Sequence, residues 1–111
     1  MQIKLSDDSE ADILSGLDFY ENQADGLGDY YLESIYAEID SLILYAGVHR
    51  RVLGKHRALV PRFPYAIYYD IVDDIIRIWA VFDCRSDPLT AKKTLKTRVK
   101  AGWPKPSSRI D

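Results

Sequence analysis

The chain has 111 residues, a length that fits one domain with a single hydrophobic core. Its one cysteine, Cys84, excludes an intramolecular disulfide and a cysteine cluster that could hold a metal. No apolar run approaches the roughly 20 residues of a membrane span, and the acidic N-terminus lacks the apolar segment of a signal peptide. We therefore expect a cytoplasmic protein without a membrane partner, and we expect neither a metal nor another cofactor.

The formal net charge of −2 conceals a division of the chain. Residues 1–88 contain 8 Lys or Arg and 16 Asp or Glu, whereas residues 89–111 contain 7 Lys or Arg and one Asp. This division predicts a folded domain over 1–88 and a basic C-terminal tail over 89–111. Such a tail contacts either nucleic acid or the acidic body of its own protein, and the sequence favours neither.

The N-terminal part of the chain predicts a strand followed by a helix. Gln2 to Leu5 alternates polar and apolar residues, as a half-exposed strand does. Asp7 and Glu10 have the spacing of a capping box, with Asp7 as the cap. Acidic side chains of the helix, such as Asp12, are expected to face solvent. Apolar residues recur at helical steps of four, three and four: Ile13, Leu17, Tyr20 and Ala24.

A second helix is predicted after a short turn. Gly26 and Gly28 end the first pattern, because glycine favours turns over helix interiors. The helical period resumes near Asp29 and continues to Gly47, a typical C-terminal glycine. Two helices joined by so short a turn should form an antiparallel hairpin. The apolar stripe of the second helix includes Leu32, Ile35, Ile39 and Leu42.

The second half of the chain predicts antiparallel strands. Residues 47–55 are expected to form a loop, and residues 56–63 a strand weakened by Pro61, which cannot donate a ladder hydrogen bond. Two runs rich in β-branched and aromatic residues follow, from Tyr65 to Val72 and from Ile75 to Phe82. The Asp73-Asp74 pair between them predicts a tight hairpin turn, since aspartate tolerates left-handed backbone angles.

The tail predicts one more short helix. Asp87 followed by Pro88 suits a helix cap and first helical position, and a basic helix is expected from Leu89 to Lys100. Glycine and proline from Gly102 onward predict a frayed end. The order β-α-α-β-β-β before the tail predicts an α+β fold, with two helices on one face of a small, mostly antiparallel sheet.

Several short motifs add a family resemblance to this order. Arg62 precedes Phe63-Pro64-Tyr65-Ala66-Ile67-Tyr68-Tyr69, and later motifs are Ile78-Trp79-Ala80-Val81 and Arg85-Ser86-Asp87-Pro88. The helical part contributes Ala11-Asp12-Ile13, Phe19-Tyr20, Gly26-Leu27-Gly28 and Tyr31-Leu32. Over about residues 3–90, these motifs resemble the RelE/ParE toxins of type II toxin–antitoxin systems. The resemblance implies a RelE/ParE-like fold and a cognate antitoxin as partner.

The resemblance is closer to the ParE branch, whose members are not nucleases and poison DNA gyrase. The alternative is a RelE-like, ribosome-dependent endoribonuclease of mRNA, in which Arg57, Arg62 and Arg85 would stabilise the charged transition state. Ala66 stands where RelE-like enzymes place a further Arg, and no Tyr follows Arg85. A third alternative is an inactive remnant that only binds its antitoxin.

The residues expected to bind the target are Arg62, Trp79 and Arg85, from the resemblance and because Trp and Arg often anchor interfaces. Arg85 has the alternative of closing the sheet by pairing with Asp83, Asp87 or a helix end. Trp79 has the alternative of packing beneath helices. Strict alternation along the last strand predicts a shared, open face for four residues: Arg77, Trp79, Val81 and Arg85.

Overall fold

The computed structural model describes residues 1–104, so the predicted frayed end beyond Pro104 lies outside the described residues. The elements are β1 (Gln2–Leu5), α1 (Asp7–Glu21), α2 (Leu27–Tyr45), β2 (Arg51–Val52), β3 (Lys55–Leu59), β4 (Tyr65–Val72), β5 (Ile75–Asp83) and α3 (Pro88–Ala101). The predicted order of elements is confirmed, and β2 is an addition to it.

The five strands form one sheet in the order β1-β5-β4-β3-β2. Strand β1 runs parallel to β5, and all other neighbours are antiparallel. The helical hairpin of α1 and α2 covers one side of the sheet, hereafter the hairpin face, and α3 covers the other, hereafter the α3 face. The predicted α+β architecture is confirmed, with α3 as a third layer.

Helix α1 is capped by Ser6, not by Asp7. The Ser6 backbone is extended, and its hydroxyl oxygen accepts a hydrogen bond from the Ser9 amide at 3.1 Å. The Ser9 hydroxyl donates to the carbonyl of Ile78 in β5 at 2.8 Å. The cap prediction was wrong by one residue, because the buried contact that fixes the start of the helix is made to a distant strand.

Helix α2 begins at Leu27, two residues before the predicted start. The Glu21 carboxylate accepts hydrogen bonds from the amides of Gly26 and Gly28, at 3.2 and 2.9 Å, and so caps the helix. Gly26 is left-handed, with φ of 84°. Gly28 lies in the first helical turn, where a Cβ would press on Leu17 and Glu21. Gly28 therefore serves close helix packing, whereas only Gly26 serves the turn.

The central β4–β5 hairpin is confirmed, with β5 one residue longer than predicted. Asp73 and Asp74 both adopt left-handed backbone angles, with φ of 51° and 64°. The segment predicted as a loop contains a second tight turn, where Leu53 and Gly54 have φ of 57° and 81° and join β2 to β3. That prediction was wrong because β2 has only two residues, too few to show a strand pattern.

Strand β3 is displaced towards the N-terminus of its predicted range. It begins at Lys55 and ends at Leu59, four residues short of Phe63. The chain turns through Pro61 and Arg62, and Arg62 is left-handed with φ of 72°. Pro61, which was expected only to weaken the strand, thus lies beyond its end.

A β-bulge at Trp79 changes which side chains of β5 share a face. The pairing register of β4 with β5 skips Trp79. Ile78 and Val81 consequently both join the core of the hairpin face, while Trp79 joins the core of the α3 face. The predicted common face is therefore wrong for Val81, and Arg85 also lies towards α1, away from Trp79.

Helix α3 has the predicted cap, because the Asp87 carboxylate accepts from the Leu89 amide at 3.0 Å and Pro88 occupies the first position. Leu95 is the buried apolar residue of the helix. Leu95 is 1% exposed and packs in a cluster with Ala66, Tyr68, Trp79 and Ala80, whereas Leu89 is 65% exposed.

Candidate functional site

Arg85 lies just after β5, where it is fixed to Asp83 and α1. Its guanidinium donates to both carboxylate oxygens of Asp83 at 2.9 and 3.0 Å, and to the Tyr20 hydroxyl at 3.3 Å. It also lies 5.7 Å from the centre of the Phe19 ring. The side chain is nevertheless 55% exposed. Arg85 thus presents a charged, oriented group to solvent while it forms the ion pair that was its predicted alternative.

The ion pair sets the charges at this end of the sheet. Hydrogen bonds from Arg85 lower the pKa of Asp83 despite partial burial, and the same bonds raise the pKa of Arg85. Burial raises the pKa of the Tyr20 hydroxyl, which Arg85 partly counteracts. All three groups therefore keep their ordinary charge states near neutral pH.

Arg62 lies at the same end of the helical hairpin as Arg85. Its guanidinium donates to the Tyr30 hydroxyl at 2.9 Å. The Phe63 ring contacts both Tyr30 and Tyr20, with centroids 5.4 and 4.9 Å apart, and so links the surroundings of the two arginines. We call the exposed group Phe19, Tyr30, Arg62 and Arg85 the arginine surface.

Trp79, the third predicted target-binding residue, lies on the α3 face and is only 4% exposed. Its ring packs against Trp103 at 5.1 Å, and Lys55 and Arg77 lie over it at 4.7 and 5.2 Å. The structure thus brings Arg62 and Arg85 together and places Trp79 elsewhere, under α3.

Asp70 holds together the two cations beside Trp79. It accepts two hydrogen bonds from Arg77 at 2.7 Å and one from Lys55 at 2.9 Å. Burial acts to raise the pKa of Asp70, but the bonds from Arg77 and Lys55 outweigh it and leave that pKa below its usual range. This network was not predicted from the sequence, although Asp70 and Arg77 are equidistant from the Asp73-Asp74 turn and therefore face each other.

Arg57 lines a cleft of about 300 Å³ on the α3 face, between the sheet and the start of α3. Its guanidinium lies 3.4 Å from the Cys84 sulfur, and its Nε is buried without a hydrogen-bond partner among residues 1–104. Arg57 pairs in register with Tyr68, on the side opposite the helical hairpin. Arg57 therefore approaches Cys84 from the α3 face, whereas the neighbouring Arg85 is directed to Asp83 and Tyr20.

Asp12 and Arg98 connect the two outer layers of the protein. The Arg98 guanidinium donates to both Asp12 oxygens at 2.7 and 2.8 Å, and to the Trp79 carbonyl at 3.1 Å. Asp12 also accepts from the Val81 amide at 3.0 Å. The expectation that Asp12 faces solvent was wrong, and Arg98 contacts the acidic body of the protein.

The helical hairpin also exposes apolar side chains. Leu44 and Val48, at the end of α2, are 78% and 74% exposed. Further exposed apolar residues of the hairpin are Leu14, Tyr36, Ile43 and Tyr45. Three of these residues, Ile43, Leu44 and Tyr45, are consecutive at the end of α2.

Within residues 1–104, no His, Cys, Asp and Glu side chains form a group of three or more that could hold a metal ion. Over the same residues, no helix combines the length and the apolar character needed to cross a membrane.

Comparisons with known proteins establish the fold. No protein-family model matches the chain, and no curated protein matches it significantly. Among solved structures, the chain is similar to one described as the chromosomal ParDE toxin–antitoxin system from P. aeruginosa, with a TM-score of 0.62 and 18% sequence identity. The match covers 75% of this chain and 95% of that chain. The ParE-like fold predicted from the motifs is therefore confirmed.

Proposed function

We propose that this protein is the toxin of a type II toxin–antitoxin pair, of the ParE kind, and that it poisons DNA gyrase. The observation that carries the proposal is the common fold with a chain of a ParDE system, which spans nearly all of that chain. The motifs around Arg62 and Arg85, which resemble the ParE branch, lie at one end of this fold. Fold alone does not determine function, so the arginine surface supplies the second support.

The arginine surface suits contact with a large protein target. Arg62 and Arg85 are both held by hydrogen bonds, so little side-chain entropy is lost when a partner binds. The exposed aromatic rings of Phe19 and Tyr30 lie beside them. Arginine and aromatic side chains are the residues that most often dominate binding energy. The predicted role of Trp79 in target binding stays a prediction, and its burial favours packing.

A cognate antitoxin is the second partner that we propose. The exposed apolar residues at the end of α2 give an amphipathic segment of the antitoxin a surface to cover. Helices α1 and α2 carry acidic residues and no Lys or Arg, so a basic polar edge on that segment would complement them. Burial of this surface would contribute hydrophobic free energy to antitoxin binding.

The geometry argues against the ribonuclease alternative. A metal-free cleavage of RNA needs its base, acid and cations around one phosphate. Arg57 lies on the α3 face, while Arg62 and Arg85 lie at the end of the helical hairpin. His56, which precedes Arg57 in β3, donates through Nδ1 to the His49 carbonyl and stacks on Tyr69. Its ring therefore lies on the hairpin face, opposite the α3 face on which Arg57 lies.

Expression in a bacterial host tests the toxin assignment. The wild-type protein should arrest growth, and co-expression of a neighbouring antitoxin gene should restore it. The Arg85→Ala variant should lose toxicity, whereas Arg50→Ala, which removes an exposed arginine elsewhere, should keep it. A folded wild-type protein without toxicity would identify an inactive remnant, and arrest accompanied by mRNA cleavage would identify the RelE-like alternative.

A further inference from the structure

The basic residues of α3 divide into one inward and four outward side chains. Arg98 points inward to Asp12, with 15% of its side chain exposed. The four lysines are exposed and form no ion pair within residues 1–104. At 100° per residue they fall within an arc of about 100° on the helix. We call them the lysine arc: Lys92, Lys93, Lys96 and Lys100.

The fold separates this arc from the acidic part of the protein. Helices α1 and α2 contain ten Asp or Glu and no Lys or Arg, and they cover the opposite face of the sheet. Helix α3 itself contains no Asp or Glu after its cap, Asp87. The molecule is therefore strongly dipolar, with a negative hairpin side and a positive α3 side. A polyanion would approach from the α3 side despite the overall net charge of −2.

We infer that the lysine arc binds the phosphate backbone of duplex DNA. The arc extends about 12 Å along a rigid helix, from Lys92 to Lys100, which is long enough to contact successive phosphates. Lysine is depleted in protein–protein interfaces, whereas it contacts phosphate readily as a point charge. Residues 88–101 contain no aromatic side chain on which the bases of a single strand could stack.

The docking of α3 keeps the arc turned outward. Leu95 and Arg98 hold one side of the helix to the α3 face and to Asp12, and the lysines lie on the other side. DNA bound here would lie beside the toxin while the arginine surface engages its protein target. That the bound DNA belongs to a gyrase complex rests on the proposed function. That the isolated protein binds duplex DNA does not.

Fluorescence anisotropy with a labelled duplex of arbitrary sequence, at a series of salt concentrations starting near 50 mM, tests the inference. Four phosphate contacts predict a slope of about −3.6 for log K against log salt concentration. The double variant Lys96→Gln, Lys100→Gln should weaken binding at least 10-fold at low salt and halve the slope. The matched control Arg50→Gln, Arg51→Gln removes the same two positive charges from exposed residues, one in β2 and one directly before it. This variant should bind the duplex almost as well as wild type.

Three results would overturn the inference. They are the absence of salt-dependent binding to duplex DNA, an equal loss in the two double variants, and tighter binding to single-stranded RNA or poly-glutamate than to the duplex. Circular dichroism and thermal melting should show that both variants remain folded, since the substituted side chains are exposed. Because gyrase is absent from the assay, failure of the gyrase proposal would leave the DNA result intact, and the reverse also holds.

Discussion

Asp12 and Arg98 lie 86 positions apart in the chain and form a bidentate ion pair with N–O distances of 2.7 and 2.8 Å. Strand β1 pairs only with residues 75–78 of β5, so the later part of that edge is free for side chains. At this part of the edge, the Asp12 carboxylate accepts a hydrogen bond from the Val81 amide, and the Arg98 guanidinium donates one to the Trp79 carbonyl. The pair thus satisfies an otherwise open strand edge and also fixes α3 to α1.

Arg98→Met should lower the free energy of unfolding by about 1–3 kcal/mol, because a half-buried carboxylate loses its charged partner. Asp12→Ala should cost a similar amount, since it leaves the Val81 amide without its acceptor just as Arg98→Met removes the donor to the Trp79 carbonyl. Urea denaturation measures both, and a double-mutant cycle should show a coupling free energy between the two residues. Equal stability of Arg98→Met and the exposed control Lys96→Gln would contradict this role of the pair.

Leu95→Ala should destabilise the protein by about 2–5 kcal/mol, the usual cost of a cavity in a packed core. Leu89→Ala removes the same atoms from a side chain of α3 that is 65% exposed, and should change stability by less than about 0.5 kcal/mol.

Deletion of residues 89–111 should lower the melting temperature, since it uncovers Trp79 and its neighbours. If the deletion variant kept the melting temperature of the full chain, the tail would not contribute to the stability of the 1–88 domain.

Gly16→Ala should destabilise the protein by about 1–3 kcal/mol, although alanine is the better helix former. A Cβ at Gly16 would overlap the ring end of Tyr31, whose hydroxyl donates to the Ile13 carbonyl at 3.1 Å. The exposed neighbour Ser15 gives the matched control, and Ser15→Ala should be nearly neutral. A gain of stability in Gly16→Ala, measured by thermal melting, would show that α1 and α2 pack less closely.

Stability should fall as the pH rises above 10. Burial raises the pKa of Tyr65 from 10.0 to about 12, and it raises the pKa of Tyr31 further. A raised pKa favours the neutral hydroxyl in the folded state, so its stabilisation is complete below pH 10 and is lost as the pH approaches 12. Urea midpoints across this range should fall less steeply for Tyr65→Phe. The same change at the exposed Tyr45 should leave the slope unaltered.

Local chemistry was enough to predict the long elements. The residues of β4 and β5 have strong strand propensity over eight or nine positions, and their turn needs only the left-handed tolerance of Asp73 and Asp74. Asp87 and Pro88 predicted the start of α3 correctly, because a helix cap depends only on residues next to it in the sequence. The motifs in these elements also led to the correct fold.

Contacts between distant elements could not be predicted. The Ser6 cap depends on Ile78, and the partner of Asp12 lies in the tail, so neither has a local pattern. The bulge at Trp79 moved Val81 to the hairpin face, because one extra residue reverses the alternation of all that follow. The arginine surface was predicted only as separate residues, since Arg62 and Arg85 meet through rings of α1, α2 and the β3–β4 connection.

The most direct test of the proposed function is a DNA cleavage assay with purified gyrase and supercoiled plasmid. The wild-type protein should make linear, gyrase-linked DNA accumulate. Arg85→Ala should abolish this accumulation, and the control Arg50→Ala should preserve it. A folded wild-type protein that leaves the plasmid uncleaved at all concentrations would contradict gyrase poisoning.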